Sequence, residues 1–446
     1  MDAHILPQVI FGLNPQILAT SILVISYIIL FTEKLNRAVV ALLGASVMIF
    51  TGILTQTSAL AGIDFNTISL LIGMMIVVGI AEKSGMFQYV AIKSAKLVKA
   101  SPRGLLIMLS IVTAIFSALL DNVTTVLLIV PVTFQITRNL KLNPYPFLIL
   151  EIFASNIGGT ATLIGDPPNI LIGSALNLSF MDFVKELTLI VVINMVVLIA
   201  VFDFVFGRKM TANQTDKEKI MKINETDSIT NYNLLYKSLG VLALTIIGFI
   251  SAEYIHINNG TIALFGAALL LMLYTLGDKH QERDQKVEDA FSLVDWTTIF
   301  FFCGLFAIVY GLEVAGVLEL LGQKFIEITE GSIKKATFLV LWVSAIVSTA
   351  IDNIPFVATM IPLLKTMEPS MGGRDVMMPV WWALSLGSCF GGNGSLIAAS
   401  ANVIVAGFAT REGHAISFIR FLIWSIPVML VSVTLAMIYL YIIHFM

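Results

Sequence analysis

An apolar stretch from 145 to 177 is interrupted at its middle by SNIGGTATLIGDPPNI, residues 155–170. This run carries a Gly pair, a Pro pair, an Asp and three hydroxyl side chains between two blocks of apolar residues. It cannot be a continuous helix. Pro167 and Pro168 remove two backbone donors, and Gly158 and Gly159 relax the backbone where a helix interior would fix it. Backbone that leaves the helix at membrane depth is tolerated only where it is buried in protein or lines a cavity, so the interruption predicts a solute or ion site on a broken helix.

That argument needs a membrane, and the composition supplies one. Of 446 residues, 57% are hydrophobic and only 12% charged, against roughly 25% charged in soluble domains. The chain reads as an all-α polytopic membrane protein. With about 20 apolar residues needed per crossing, spans are expected near 16–32, 38–54, 66–81 and 187–206, and again near 234–251, 260–276, 296–312 and 419–443. The stretches 145–177 and 379–410 read as two broken helices. Residues 104–139 and 336–366 each hold two short apolar runs around an Asp-Asn pair, which reads as a re-entrant hairpin with Asp121-Asn122 or Asp352-Asn353 at its tip.

Charge placement gives this layout an orientation. With both termini outside, 20 of the 26 basic residues fall on the inner side, as the positive-inside rule requires. The expected setting is the cell membrane. The N-terminal run MDAHILPQVIFGLNPQ has no Lys or Arg before its apolar segment, so the first helix is expected to be retained rather than cleaved. No basic run forms a nucleic-acid patch. Cys303 and Cys389 lie in separate apolar segments, and His4, His256, His280, His414 and His444 are scattered in what read as loop or terminal positions; no metal site is expected.

The chain is also an internal duplication. At an offset of 231, Asp64, Thr67, Gly73, Glu82 and Gly85 fall over Asp295, Thr298, Gly304, Glu313 and Gly316, and Asp121-Asn122 over Asp352-Asn353. At an offset of 233, Ser155, Gly158, Gly159, Thr162 and Asn169 fall over Ser388, Gly391, Gly392, Ser395 and Asn402. Generic apolar sequence would match Leu and Ile, but not Asp, Asn and Gly-Gly. The expected division is a first repeat at 1–207, a hydrophilic linker at 208–233 on the inner side, and a second repeat at 234–446. Each repeat holds five spans and one hairpin. An odd number inverts the second repeat relative to the first, the architecture of secondary transporters.

The candidate site residues follow from the tips and the breaks. Asp121 and Asp352, with Asn122, Thr124 and Asn353 beside them, admit two readings: helix capping, and an ion or proton pathway, since an ionisable group at membrane depth is costly. Asp166 precedes the Pro pair and could cap the helix that follows. Its counterpart is Ala399, so it exists in one half only, which makes it a candidate for coupling. Asn156, Thr160, Thr162, Asn393 and Ser395 supply neutral hydrogen-bonding groups near the breaks, with Ser155, Gly158, Gly159, Asn169, Ser388, Gly391, Gly392 and Asn402 as the shared scaffold. Half-helix ends there offer N–H groups to anions and free carbonyls to Na⁺. No Arg, Lys or His lies in either broken stretch, which points away from a multiply charged anion. Glu151 reads as a buried charge partner or as a residue reaching for the interface. Cys389 reads as a packing residue or a contact for a thiophilic solute. Residues 88–99 and 314–328 read as a pair of amphipathic interfacial helices or surface connectors.

The runs DNVTTVLLIVPVT (121–133) and SNIGGTATLIGDPPNILI (155–172) resemble the ArsB and melanosomal P protein branch of the ion transporter superfamily, over about residues 60–440. Weaker similarity reaches Na⁺/H⁺ antiporters and citrate and dicarboxylate carriers, whose Ser-Asn-Thr signature is only partly present at Ser155-Asn156-Ile157. The resemblance implies an inverted-repeat fold, commonly a homodimer working by an elevator movement, with hairpin tips and broken helices forming the site. The activity expected is secondary transport of a small inorganic solute across the bilayer, with arsenite or antimonite efflux coupled to protons foremost. A Na⁺/H⁺ antiporter or an inorganic anion transporter is the alternative, and an uncoupled ion channel the alternative of another class. The coupling ion is H⁺ or Na⁺, and no other cofactor is expected. Neither a Ser/His nor an Asp/Asp arrangement of protease spacing appears, so an enzyme is not expected.

Overall fold

A computed structural model describes residues 9–32 and 34–446; the N-terminal segment with His4 lies outside the described residues. Every regular element among them is helical. The first half opens with α1 (Pro15–Phe31), α2 (Arg37–Phe50) and a short α3 (Gln56–Ala61). It continues with α4 (Phe65–Glu82), α5 (Met86–Leu97), α6 (Pro102–Leu119) and α7 (Asn122–Asn139). Then come α8 (Tyr145–Gly159), α9 (Pro167–Leu176) and α10 (Phe180–Val205). A short α11 (Gln214–Met221) sits in the hydrophilic connection. The second half holds α12 (Tyr232–Ile255), α13 (Asn259–Thr275), α14 (His280–Phe291), α15 (Trp296–Val314) and α16 (Val317–Thr329). It closes with α17 (Ile333–Ala350), α18 (Asn353–Met367), α19 (Arg374–Gly391), α20 (Ser400–Arg411) and α21 (Phe418–Phe445).

Among the described residues, seven helices are long and apolar enough to cross a membrane: α4, α6, the helix running from Phe180, α12, α15, α17 and α21. This is a polytopic membrane protein. Helix α2 is shorter than its expected span: it stops at Phe50, where Thr51 and Gly52 turn the chain into α3, whereas α1 and α13 have the expected 17 residues each. The first arms of the hairpins, α6 and α17, reach 18 residues each, because capping Ser101 and Ser332 start them earlier than the apolar run does.

Equivalent elements in the two halves begin the same way. Asp64 and Asp295 cap α4 and α15, each accepting from the backbone and the hydroxyl of the Thr three residues on. Gly85 and Gly316, with φ of 81° and 73°, open α5 and α16 in the left-handed conformation that glycine adopts at least cost. The halves also exchange partners. Helix α2 packs on α15, and α13 packs on α4. Both contacts are backbone-close, since a Cβ on Gly304 would fall 2.5 Å from Ala41 and one on Gly73 would fall 2.5 Å from Ala263.

The remaining helices form a second assembly. Helix α6 lies along α8 and α17 along α19, α7 touches α20, and α9 touches α18. Gly158 and Gly391 permit the first two contacts: a Cβ at either would meet the carbonyl oxygen of Ala114 at 2.4 Å or of Ala345 at 2.7 Å. The interior of this assembly is close-packed, with all of α8 buried.

The connection at 208–233 is pinned to the ends of these helices. Lys96 pairs with Glu225 at 2.5 Å, Lys141 and Lys219 flank Asp216, and Thr230 donates to the carbonyls of Ser84 and Lys83.

Candidate functional site

Helices α8 and α19 stop at Gly159 and Gly391, and α9 and α20 restart at Pro167 and Ser400. Each gap is closed by one asparagine of the restarting helix. Asn169 donates to the carbonyls of Thr160 and Thr162 at 3.0 and 2.9 Å, and Asn402 donates to those of Gly392 and Ser395, both at 2.8 Å. A hydroxyl then ties each gap to the tip of the neighbouring hairpin. Thr162 donates to Ala118, and Ser395 donates to Thr349. Four carbonyls of the non-helical backbone, those of Thr160, Thr162, Gly392 and Ser395, are thereby satisfied by side chains of the protein, as backbone at membrane depth requires.

Asn156 joins the two breaks. Its amide donates to Asn393 Oδ1 at 3.1 Å and Asn402 Oδ1 at 3.0 Å, with the Gly392 carbonyl at 3.4 Å. Ser155 and Ser388 turn their hydroxyls to backbone carbonyls, Asn122 and Leu384 respectively, and Thr160 bonds back to Asn156. Cys389 is fully buried and faces the Asn169 amide oxygen at 3.7 Å. Glu151 is buried within α8 and accepts from Thr133 at 2.6 Å, so it is an interior residue and does not reach for an interface.

The three acidic candidates behave differently. Asp121 caps α7, accepting from the Thr124 backbone at 2.8 Å and its hydroxyl at 2.5 Å. Asp352 caps α18 through the Ile354 backbone at 3.1 Å. Asp166 stands at the first position before α9 and makes no side-chain cap. Its Oδ1 instead receives the amides of Asn122 at 3.4 Å and Asn353 at 3.5 Å, one from each hairpin tip, and its Oδ2 is buried without a hydrogen-bond partner among the described residues. The capping reading of Asp166 is therefore overturned. Tertiary contact has turned its carboxyl away from the helix start.

Asp166 lies on the wall of a cavity of about 310 Å³, together with Asp121, Asn122, Thr124 and Asn353. Asp352 lines a neighbouring cavity of about 350 Å³. Ser155, Asn156, Gly158, Gly159, Thr160, Thr162, Asn169, Ser388, Gly391, Gly392, Asn393, Ser395 and Asn402 sit behind the first cavity rather than on its wall, and form its backing. The breaks and tips thus converge on one place, but of the residues expected to form the site only Asp121, Asn122, Thr124, Asp166 and Asn353 line this cavity.

One residue escaped the sequence reading. Arg37, at the start of α2, reaches into both cavities. It donates to Ser400 Oγ at 2.8 Å and Thr298 Oγ1 at 2.7 Å, with Asp352 at 3.5 Å and Asp295 at 3.8 Å. The expectation that the site lacks a cationic side chain holds for the breaks themselves but not for their surroundings. Arg37 could not be found from the repeat, because it belongs to no matched pair; only the packing of α2 on α15 brings it there. Glu82, Asp121, Asp166 and Asp295 line the first cavity against this single guanidinium, so its wall is rich in carboxyls.

The sequence pattern of the citrate transporter family, CitMHS, matches residues 27–387. An uncharacterized transporter of Mycobacterium tuberculosis is 41% identical over 434 residues, covering 96% of this chain and 99% of that one. A 46 kDa membrane protein of Mycobacterium leprae is 39% identical over 430 residues, covering 96% and 98%. The human P protein is 32% identical over 510 aligned residues, which cover 96% of this chain and 60% of that one. The P protein side of the resemblance is thereby found; its arsenical-pump side rests on the motif alone. Among solved structures, the fold is similar to the YdaH transporter of Alcanivorax borkumensis, with a TM-score of 0.61 at 13% identity over 96% of this chain and 98% of that one. It is also similar to MtrF of Neisseria gonorrhoeae, described as one of a class of antimetabolite efflux pumps, with a TM-score of 0.60 at 12% identity over 98% and 96%. A helical assembly with two stapled breaks, a match along most of its length and these relatives place the chain in the citrate transporter (CitMHS) family of membrane transporters.

Proposed function

We propose that the chain is a secondary active transporter of a small inorganic solute, and that the cavity under Asp166 is where solute and coupling ion meet. The observation that carries this reading is the buried, half-satisfied carboxyl of Asp166, held between amides from both hairpin tips. A buried carboxyl with one oxygen unpartnered is costly as an anion, and binding a proton or a cation relieves that cost. A group poised between two occupancies can couple one flux to another.

In this reading the two repeats are inverted about the cavity, the pinned connection lies on the cytoplasmic side, and the protein works in the cell membrane, as a homodimer in the manner of its superfamily. The solute named first is arsenite or antimonite, exported against protons. These acids are largely uncharged at neutral pH and fit a wall that offers hydroxyls, amides and carboxyls with one neutralised guanidinium. The test is reconstitution: proteoliposomes should move arsenite when a proton gradient is imposed, and no arsenite or antimonite flux in either direction of the gradient would exclude that solute.

A second reading is favoured by the carboxyl-rich wall of the same cavity, which attracts cations. It is Na⁺/H⁺ exchange. Addition of Na⁺ to such liposomes should then dissipate an imposed proton gradient, with no need of arsenic. An inorganic anion is the least suited cargo for this wall, and currents that persist without any counter-ion would mark an uncoupled channel instead.

A further inference from the structure

We propose that Arg37 is a latch that holds the tip of the second hairpin and the second break against the α2–α15 pair, and that the two cavities join only when it lets go. Helices α2 and α15 are in backbone contact at Ala41 and Gly304 and behave as one body. Ser400 begins α20 and Asp352 is the tip of the second hairpin, so both belong to the assembly of breaks and tips. Arg37 crosses from the first body to the second.

Its hydrogen bonds are arranged for this. One guanidinium nitrogen donates to Thr298, whose hydroxyl donates to Asp295; the other donates to Ser400, whose hydroxyl lies 3.5 Å from Asp352. Each nitrogen therefore addresses a hydroxyl backed by a carboxylate, one in each body. The Phe301 ring beneath, 5.5 Å from the guanidinium carbon, fixes the side chain's direction. A planar fork with two charge-assisted contacts is well suited to such a bridge, and a lysine would make only one of the two.

The position is what makes the bridge a latch rather than a brace. Arg37, Ser400 and Ile404 line both cavities, of about 310 and 350 Å³, and so form the partition between them, with Arg37–Ser400 its polar contact between the two bodies. A movement of the second body that opens the Asp166 cavity toward the second one parts Arg37 from Ser400. The proposal deepens the reading of the Asp166 cavity as the transport site, and rests on it for its purpose but not for its measurement.

The experiment uses a full-length reporter with Cys303→Ser, Cys389→Ser and Ile354→Cys, because Ile354 lies at the hairpin tip, lines the first cavity and is buried. Its rate of reaction with a small charged thiol reagent is read in purified protein. Replacing Arg37→Gln should raise that rate about tenfold, the factor that a shift of about 1.4 kcal/mol in opening gives. Asp352→Asn should raise it partway, and Arg37→Gln added to Asp352→Asn should act less than it does alone, whereas a merely structural role would lower Tm without this dependence. Arg37→Lys should lie between wild type and Arg37→Gln. An unchanged rate in a folded Arg37→Gln protein overturns the latch. If Arg37→Gln does not fold, a short bis-thiosulfonate cross-link between Thr298→Cys and Ser400→Cys in the Cys303→Ser, Cys389→Ser background decides: it should hold Ile354→Cys protected, reversibly on reduction, when that reporter residue is labelled after cross-linking, and no protection counts against the latch. A faster rate with no solute flux under any gradient would keep the latch and remove the transport reading; normal coupled flux with an unchanged rate would do the reverse.

Discussion

Asn122 and Asn353 donate to the same atom, Asp166 Oδ1, from opposite halves of the chain, at 3.4 and 3.5 Å. The two amides match each other at an offset of 231, whereas the carboxyl they share falls over Ala399 at an offset of 233. Two tips alike in sequence thus grip one carboxyl that only the first break supplies.

Gly158 is a packing position, and its replacement tests the contact between α6 and α8. The Cβ of Gly158→Ala would press on the Ala114 carbonyl at 2.4 Å, where backbone cannot easily yield. Overpacking of this kind costs about 1–3 kcal/mol. Thermal unfolding in detergent should show a lower Tm, and Gly391→Ala, which meets the Ala345 carbonyl at 2.7 Å, should show a drop in the same range. A Tm equal to wild type in both would mean that the hairpin arms stand further off than this packing requires.

Asn156 is the joint between the breaks. Asn156→Leu keeps the branched shape, with a larger volume, but leaves Asn393 Oδ1 without its donor and strips Asn402 Oδ1 of the same amide. An unmet buried acceptor costs about 1–3 kcal/mol. The expected outcome is a destabilised protein with flux lost, whereas Thr160→Val, which removes only a back-bond to Asn156, should be far milder. Differential scanning fluorimetry and flux measured on the same preparations check both.

The connection at 208–233 should respond to acid. The Lys96 ammonium holds the Glu225 carboxyl below the usual carboxylate range, and Lys219, then Lys141, does the same for Asp216. A carboxyl depressed in the folded state contributes above its unfolded value, about 4.3 for Glu, and that contribution disappears as pH falls through the folded value. Protection of 208–233 from protease should therefore be flat above about pH 5 and fall below about pH 4. Lys96→Met should lose protection already at neutral pH. Both side chains are partly exposed, so high salt should mimic the mutation in part.

Much of this architecture was written in the order of Asp, Gly and Asn along the chain. The matched Asp64 and Asp295 make the same local caps, Gly85 and Gly316 the same left-handed turns, and Thr162 and Ser395 the same bond across to the neighbouring hairpin. Capping and left-handed turns are local chemistry, so the sequence carries them openly. Helix length was less legible. The apolar run overstates α2 and understates α6, because Gly52 and Ser101 set the ends and hydropathy does not register caps. Least legible was the partnership of Arg37 with Ser400, 363 residues away, and of Asp166 with both tips. Those contacts depend on how α2 meets α15 and α9 meets α18, and no periodicity or motif encodes a crossing between bodies.

The central claim is that Asp166 couples the two fluxes, and one measurement reaches it directly. Wild-type protein and Asp166→Asn are reconstituted side by side, and proton movement driven by a solute gradient, arsenite or Na⁺, is followed with an entrapped pH dye. Wild type should move protons with one of these solutes. Asp166→Asn should fold with an undiminished Tm, since it loses a buried charge and keeps a group that can bond to Asn122 and Asn353, yet its coupled proton movement should fall at least about tenfold, the effect of about 1.4 kcal/mol at the coupling step. Coupled proton movement at the wild-type rate in Asp166→Asn would contradict the account.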